Sequence, residues 1–352
     1  MNNENSEKRR VTQRDIADIL GISKMTVSLA LRKDSRVAKK TRSRVEQKAE
    51  ELGYRPDPEL TALHRYRHNS HIKNIQATLA WINTWPHPKQ LRMHREFDLY
   101  WKGAYDHAQQ LGYRLEEFDT SKIPAKRLET IFRTRNIKGI LLPPQYHQAD
   151  VLCQFDWSDF AVVRFGQRAP NLKAHFVTSA QMINTIQAFE RTKQLGYQRI
   201  GFVRGFYDQR HFSAGYLWAQ SKLPKNQQLH LFKMRHSDDL EPIQDQLKIW
   251  LKQTRPDAIL TDSGKIPQLL QELGYRIPED IGIATTSIHD TSINAGIDQR
   301  PYHIGHAAIR LLTALIAGKS FGIPEYCDET LIEGQWVDGS MLPKVKQDKI
   351  QR

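Results

Sequence analysis

The chain has 352 residues and a formal net charge of +13 at pH 7. At about 100–200 residues per domain, this length predicts two or three packed units, and the positive charge favours a polyanionic partner, either nucleic acid or an anionic membrane surface. The first residues contain no apolar segment, and no run of about 18 uncharged apolar residues occurs, so we predict neither a signal peptide nor a membrane span and expect a cytoplasmic protein.

Positive charge is concentrated near the N-terminus, where a first short helix is predicted. Residues 1–73 hold 17 Lys and Arg against 10 Asp and Glu, a net charge of +7. Within this segment, Thr12 and Asp15 have the spacing of a capping box, an apolar stripe follows, and Gly21 ends the stripe.

A second helix is predicted to begin at Ser23, whose side chain can cap it. Val27, Ala30 and Leu31 share one face at helical spacing. At about 100° per residue, the other side of the helix carries Met25, Ser28, Leu29 and Arg32, with Lys24 on the rim. Apolar side chains facing away from the core favour a helix that enters the DNA major groove, where thymine methyl groups are exposed. The alternative is a bundle that packs this helix on both sides.

A third helix is predicted over residues 41–52, where apolar residues would close the bundle. Basic residues cluster near its start: Arg36, Lys39, Lys40, Arg42 and Arg44. If the second helix reads bases, these side chains would contact phosphates and position the domain without reading sequence.

Residues 55–73 separate the three helices from the rest of the chain. Pro58, capped by Asp57, can begin a helix that runs to about Arg67. Because so short a helix is marginal on its own, we expect it to fold only against DNA and a second copy of the chain. A solvated linker is the alternative.

Beyond residue 73, short apolar or β-branched runs alternate with segments of helical spacing. The tripeptide Leu-Gly-Tyr occurs four times and ends such helical segments, because Gly readily adopts the conformation that stops a helix. The runs are 75–82, 138–142, 160–165, 199–203, 229–233, 257–261 and 281–286, and the helical segments are 95–111, 125–135, 181–195, 239–252, 265–273 and 304–317. The alternation predicts parallel sheets built from βαβ units.

The N-terminal segment resembles the DNA-binding headpiece of the LacI/GalR family of transcription regulators. The resemblance is carried by VTQRDIADILGISKMTVSLAL, by Val37-Ala-Lys-Lys-Thr-Arg and by AEELGYRPDPELTAL. It implies a helix-turn-helix, a third helix and a hinge helix in a homodimer that binds a pseudo-palindromic operator in double-stranded DNA. Repression is the more common outcome in this family.

The resemblance also implies roles for individual residues. Lys24, Met25 and Leu29 occupy base-reading positions, Leu63 occupies the position of a wedge in the minor groove, and His64 lies beside it. The other predicted DNA contacts are Thr12, Ser23, Thr26, Ser28, Arg32, Arg36, Thr41 and Arg42. Leu29 departs from the family, which usually has Arg there, and this predicts a preference for thymine over guanine at the corresponding base.

A looser resemblance to the sugar-binding-protein-like core of the family covers the remainder, through Ile277-Pro-Glu-Asp-Ile-Gly, Ile297-Asp-Gln and Gly305-His-Ala-Ala-Ile-Arg-Leu-Leu. The predicted fold is an N-terminal all-α helix-turn-helix headpiece plus an α/β periplasmic-binding-protein-like core of two doubly wound subdomains. We predict a headpiece over 1–55, a hinge helix or linker over 56–70, a ligand-sensing core over 71–340 and a basic tail over 341–352. The chain is expected to change sheets after about residue 160, and the helix over 304–317 to return to the second subdomain.

A core of this kind binds small molecules in the cleft at the carboxyl ends of its strands, and the resemblance implies a sugar. Aromatic faces with a few polar groups suit a carbohydrate. The predicted effector contacts are Trp85, Phe97, Arg210, Phe212, Asp262 and Asp290. Phe212 and Ser287 stand where the family usually has Arg and Asp, so the pocket binds a different ligand or has lost its response. For each aromatic residue, ordinary core or dimer packing is the alternative.

Other functional classes have little support in the sequence. No Gly-x-Ser-x-Gly, P-loop, Gly-x-Gly-x-x-Gly or HExxH motif occurs, and Cys153 and Cys327 lie far apart without a CxxC partner. We therefore expect no catalytic residues, no metal and no cofactor. A periplasmic sugar-binding protein would not carry the N-terminal helices, and a non-specific architectural DNA binder would not need a sensing domain.

Overall fold

The computed structural model describes residues 11–31, 36–54, 77–144, 152, 154–166, 172–205, 210–234 and 241–345. The chain divides into two compact units, Met1–Lys73 and Asn74–Arg352, and each is described by itself. The predicted hinge, 56–70, lies outside the described residues.

The N-terminal unit contains three helices: α1 (Gln13–Leu20), α2 (Lys24–Leu31) and α3 (Lys39–Glu51). Thr12 and Asp15 form the predicted capping box at the start of α1. Gly21 ends this helix in the left-handed conformation, at φ 66°, and its N–H donates to the carbonyl oxygen of Ala17. The helices enclose a small apolar core of Ile16, Ala17, Val27, Ala30, Val37, Val45 and Ala49.

The second unit begins with a six-stranded sheet, called subdomain one. Its strands are β1 (Ala77–Asn83), β2 (Tyr113–Asp119), β3 (Gly139–Leu142), β4 (Ala161–Phe165), β5 (His175–Ser179) and β11 (Glu329–Ile332). They lie in the order β11-β5-β4-β3-β1-β2, with every pair parallel. The helices between β1 and β3 are α4 (Pro88–Met93), α5 (Arg95–Gln110) and α6 (Ala125–Thr134).

A second six-stranded sheet forms subdomain two, in the order β12-β10-β9-β8-β6-β7. Its strands are β6 (Ile200–Arg204), β7 (Phe232–Lys233), β8 (Ala258–Thr261), β9 (Gly282–Thr285), β10 (Gly296–Asp298) and β12 (Gln335–Val337). Only the pairing of β10 with β12 is antiparallel within the described sheet. Its helices are α7 (Gln181–Gln194), α8 (Arg210–Gln220), α9 (Glu241–Thr254) and α10 (Ile266–Glu272).

Two expectations about how the chain moves between the sheets were wrong. The change of sheet comes after Ser179, because β4 and β5 both join the first sheet. The last helix, α11 (Pro301–Gly318), packs on subdomain one rather than subdomain two. It crosses α5 closely, since a Cβ atom added to Gly103 would lie 1.9 Å from the carbonyl oxygen of Tyr302.

The first five residues of the predicted basic tail belong to the core. Leu342 is buried, the Tyr197 hydroxyl donates to the carbonyl oxygen of Pro343 at 2.9 Å, and the Val345 N–H donates to that of Leu195 at 2.8 Å. Subdomain two therefore extends to at least residue 345, and the remainder of the tail lies outside the described residues. Across the described ranges, no helix is long and apolar enough to cross a membrane.

Candidate DNA interface and effector cleft

The second helix of the N-terminal unit begins at a side-chain cap. The Ser23 hydroxyl accepts a hydrogen bond from the backbone N–H of Thr26 at 3.0 Å, and the two hydroxyl oxygens are 2.8 Å apart. Such a cap satisfies an N–H group that would otherwise lack a partner at the helix start. It fixes the position from which Lys24 and Met25 project.

One side of α2 is buried and another carries an exposed apolar side chain. Val27 and Ala30 are fully buried, whereas Met25 exposes 69% of its surface and Lys24 is also exposed. An exposed Met beside an exposed Lys is available for contact with a base edge and a neighbouring acceptor. Met25 lies on the outward face, with Lys24 exposed beside it, as the sequence predicts.

Leu29 is only partly on that face. It is half-buried and packs against the apolar core of the N-terminal unit. Leu29 directly precedes the buried Ala30, about 100° around the helix, and its longer side chain reaches the core from there. The assignment of Leu29 to the face opposite the core is therefore corrected, and its role in reading bases stays a prediction.

Several predicted phosphate contacts have partners within the N-terminal unit. The Asp15 carboxylate accepts from both the N–H and the hydroxyl of Thr12, each at 2.7 Å, and the Arg42 guanidinium donates to the carbonyl oxygen of Val37 at 3.1 Å. Ser28 and Thr41 are half-buried and Arg36 is exposed. Arg32, Leu63 and His64 lie outside the described residues.

The start of α3 presents backbone donors and positive charge together. The residue before this helix is Ala38, which provides no side-chain cap, and Lys39, Lys40 and Arg44 are exposed. Free N–H groups at a helix start and nearby cations both favour a phosphate group. Of the described surfaces in this unit, this one best suits the DNA backbone.

In the second unit, the carboxyl ends of the parallel strands bring polar side chains to the cleft edge of each sheet. Asp262 follows β8, and its carboxylate accepts a hydrogen bond from the backbone N–H of Gly205, which follows β6. Burial raises the pKa of Asp262 to about 6, although this bond and the charge of Arg204 act in the opposite direction. Asp262 thus follows a strand end and has a backbone partner, and its role as an effector contact stays a prediction.

Trp85 and Phe97 follow β1 and pack edge to face, with ring centroids 6.4 Å apart and ring planes inclined at 66°. The indole N–H of Trp85 donates to the carbonyl oxygen of Pro144 at 2.9 Å. Both rings are partly buried against the core of subdomain one. The two aromatic residues therefore form part of the wall of subdomain one, with part of each surface accessible.

Phe212 does not line the cleft in the manner predicted. Its side chain is 2% exposed and belongs to the apolar core of subdomain two. The reason is the tight packing of α8 on α7, where a Cβ atom on Gly215 would lie 2.4 Å from the carbonyl oxygen of Met182. The prediction of Phe212 as an effector contact is corrected, and the side chain of Arg210 lies outside the described residues.

Asp290 connects the two subdomains. It lies beyond β9 in subdomain two, and its carboxylate accepts hydrogen bonds from the backbone N–H groups of Arg95, at 2.7 Å, and Glu96, at 3.1 Å. These are the first two residues of α5 in subdomain one. The carboxylate therefore caps a helix of the opposite subdomain.

Sequence reasoning missed Glu96, which makes a second connection at the same place. Its carboxylate accepts from the Tyr100 hydroxyl at 2.7 Å and from the Ser287 hydroxyl of subdomain two at 3.1 Å. Burial raises the pKa of Glu96 despite these two donors. A local sequence pattern cannot predict this contact, because Glu96 and Ser287 are 191 positions apart in the chain.

Among the described residues, no group of three or more His, Cys, Asp or Glu side chains is arranged to hold a metal ion. The polar groups of Asp262, Asp290, Glu96 and Ser287 at the cleft are carboxylates and a hydroxyl, and their partners include backbone amides. Such groups exchange hydrogen bonds with a polar organic ligand.

Two stretches of the chain match described protein families. Residues 12–57 match bacterial regulatory proteins of the lacI family, and residues 189–335 match the periplasmic binding protein-like domain. A curated relative, the HTH-type transcriptional regulator KdgR of Bacillus subtilis (strain 168), is 24% identical over 286 residues, covering 78% of this chain and 80% of KdgR.

Solved structures share the fold over nearly the whole chain. The transcriptional regulator CelR–cellobiose complex is 18% identical with a TM-score of 0.54, covering 94% of this chain and 100% of that one. The lac repressor dimer bound to operator and the anti-inducer ONPF is 16% identical with a TM-score of 0.53, covering 95% and 100%. At these identities the likeness concerns the fold: a helical N-terminal domain followed by two parallel-sheet subdomains.

Proposed function

This chain belongs to the LacI family of DNA-binding transcription regulators, and we propose that it is a repressor whose affinity for its operator is set by a small-molecule effector, a carbohydrate, in the cleft of its core. The observation that carries the proposal is the geometry of α2. Its Ser23-capped start and its buried Val27 and Ala30 leave Lys24 and Met25 exposed together. The relatives named above are regulators rather than enzymes, which supports a role without catalysis.

On this proposal, α2 enters the major groove and the start of α3 meets the phosphate backbone. Two copies of the chain bind two half-sites of a pseudo-palindromic operator, because a two-fold dimer matches a two-fold DNA site. The segment 56–70 forms the hinge, with Leu63 as a wedge in the central minor groove and His64 beside it. The protein acts where the chromosome lies, in the cytoplasm.

The proposed effector lies between the subdomains, at the carboxyl ends of the strands. The half-exposed rings of Trp85 and Phe97 supply stacking surfaces, and Asp262 and Asp290 supply acceptors for hydroxyl groups. The fold shared with CelR, whose structure is a complex with cellobiose, supports a carbohydrate as the class of effector. Effector binding changes operator affinity through a coupling free energy of about 1–3 kcal/mol.

The test uses the purified full chain and a library of genomic DNA fragments in about 0.15 M salt, near physiological ionic strength, with and without a panel of sugars. We expect enrichment of a short pseudo-palindrome and loss of that enrichment with one of the sugars. Uniform recovery of all fragments would contradict sequence-specific regulation. A defined operator that responds to no sugar would contradict the effector assignment alone and favour a degenerate or non-sugar pocket.

A further inference from the structure

We propose that Glu96, Ser287 and Asp290, called the latch below, hold the two subdomains together in the absence of effector, so that an effector acts by replacing the bond between Glu96 and Ser287. The inference rests on the proposed function, since it describes how the cleft of that regulator is controlled. The three residues come from different subdomains: Glu96 lies on α5 of subdomain one, and Ser287 and Asp290 lie beyond β9 of subdomain two.

The first half of the latch is the cap on α5. The residue preceding this helix, His94, makes no side-chain cap hydrogen bond, and the two exposed N–H groups at the helix start are satisfied instead by Asp290. A carboxylate at this position gains from the hydrogen bonds and from the positive end of the helix dipole. Moving subdomain two away removes the side-chain cap from a helix of 16 residues.

The conformation of Asp290 supports a specific role. Its φ angle is 58°, in the left-handed region. Asp and Asn tolerate this region better than most residues, because their short polar side chains can hydrogen-bond locally. Local strain of this kind persists where surrounding contacts determine it, and here the contacts are those with subdomain one.

The second half of the latch is the Glu96 carboxyl group. Tyr100, on the same helix, donates to one oxygen, and Ser287 donates to the other across the cleft. The titratable groups facing this carboxyl from subdomain two are His289 and Asp290. Because the group is desolvated, loss of the Ser287 donor without replacement costs more than an exposed hydrogen bond would.

These contacts make closure of the cleft possible without a ligand. In a closed core without effector, the polar groups that would bind effector hydroxyls form hydrogen bonds with groups of the opposite subdomain. Closure therefore leaves none of Glu96, Ser287 and Asp290 without a hydrogen-bond partner. An effector must then offer Ser287 an acceptor or Glu96 a donor in exchange. The ligand is selected by how well its hydroxyl groups replace the latch bonds, rather than by how well it fills an empty cleft.

The experiment measures the distance between the subdomains in the full chain, without DNA or sugar. Spin labels are attached at Lys126→Cys on α6 and Gln246→Cys on α9, two exposed positions, in a chain that also carries Cys153→Ser and Cys327→Ser. We expect one short distance in this parent. Removal of each latch bond is expected to lower the closed-to-open ratio about tenfold, so the triple variant Glu96→Ala, Ser287→Ala, Asp290→Gly should populate a longer distance. Glycine removes the carboxylate and adopts the left-handed conformation of position 290 without strain.

Two variants serve as matched controls. Glu96→Gln retains an acceptor for one hydroxyl and a donor for the other, so it should keep the short distance. Asp98→Asn removes one negative charge, as Glu96→Gln does, in the same turn of α5 but outside the latch. Its distance between the spin labels should also match that of the parent. Circular dichroism melting shows that each variant is folded.

A folded triple variant that retains the parent distance would overturn the inference, as would opening in Asp98→Asn equal to that in the triple variant. Failure of the proposed function is recognised separately. If the chain selects no operator from the DNA library but its subdomains separate in the triple variant, the proposed regulatory function is contradicted and the latch inference is supported.

Discussion

Met25 and Val27 lie two positions apart on the same short helix, yet Met25 exposes 69% of its surface and Val27 is fully buried. Val27 packs α2 against the other two helices, whereas Met25 makes little contribution to this packing. Function and stability can therefore be separated by substitution on this helix.

Met25→Ala is expected to weaken binding to the operator about tenfold, the lower end of the loss typical for one base contact, while leaving the unfolding temperature unchanged. Fluorescence anisotropy with the selected operator and thermal unfolding measure the two quantities. Ile19→Ala is the matched control, because Ile19 is a similarly large apolar residue, 55% exposed, on α1. An equal loss in both variants would show that exposed apolar surface, rather than the position of Met25, matters.

Ser23→Ala removes the cap of α2 and should destabilise this helix by about 1 kcal/mol, because the N–H of Thr26 loses its acceptor. Hydrogen exchange of the α2 amides in the full chain measures the change. Ser43→Ala is the control, since the Ser43 hydroxyl donates to the carbonyl oxygen of Lys39 within α3 and caps no helix start. Unchanged exchange in Ser23→Ala would contradict the capping role.

Gly305→Ala should destabilise subdomain one by about 3 kcal/mol, the upper end of the range for overpacking. The added Cβ would lie 2.1 Å from the carbonyl oxygen of Tyr100, so α11 and α5 must move apart. Gly318→Ala on the same helix meets only Ser320 Oγ, at 3.5 Å, and should be neutral or slightly stabilising. Urea unfolding of both variants gives the comparison, and equal stabilities would contradict the close crossing.

Asp262→Asn should change how stability depends on pH. The pKa of Asp262 rises from 3.8 to about 6 on folding, so the folded chain binds a proton more tightly than the unfolded chain does. The stabilising contribution is present below about pH 4 and is lost as pH rises through about 6, a difference of up to about 3 kcal/mol.

The amide of Asn keeps an acceptor for the Gly205 N–H and carries no charge. Asp262→Asn should therefore be more stable than the parent at about pH 7. Its free energy of unfolding should lack the decrease that deprotonation of Asp262 causes in the parent as pH rises from about 4 to about 7. Urea unfolding at about pH 5 and about pH 7 measures the difference between the two proteins. A parallel pH dependence in both would contradict a raised pKa at Asp262.

The sequence predicted those parts of the fold that depend on local chemistry. The Thr12–Asp15 box and Gly21 bound α1 because each acts within a few residues, and the apolar runs became strands because both faces of a parallel sheet are buried. It missed β2 and β5, whose apolar residues are interrupted by charged or polar ones, and the three-residue β10, and it placed α11 on the wrong subdomain. This helix is apolar on more than one side, so its spacing alone does not select a sheet.

The cleft was predicted less well because its contacts join distant parts of the chain. Asp262 and Asp290 were recognised as polar residues after strands, but their partners, the backbone groups of Gly205 and Arg95, carry no sequence signal. Phe212 was assigned by its place in a pattern and is held in the core by the packing of α8 on α7. Glu96 was overlooked because its role depends on Ser287.

The measurement that tests the central claim most directly compares two dissociation constants of the full chain in about 0.15 M salt. One duplex carries the selected pseudo-palindrome, and the other carries the same bases in scrambled order. We expect the selected duplex to bind at least about a thousandfold more tightly and Met25→Ala to narrow that ratio. Equal dissociation constants for the two duplexes would contradict sequence-specific regulation by this protein.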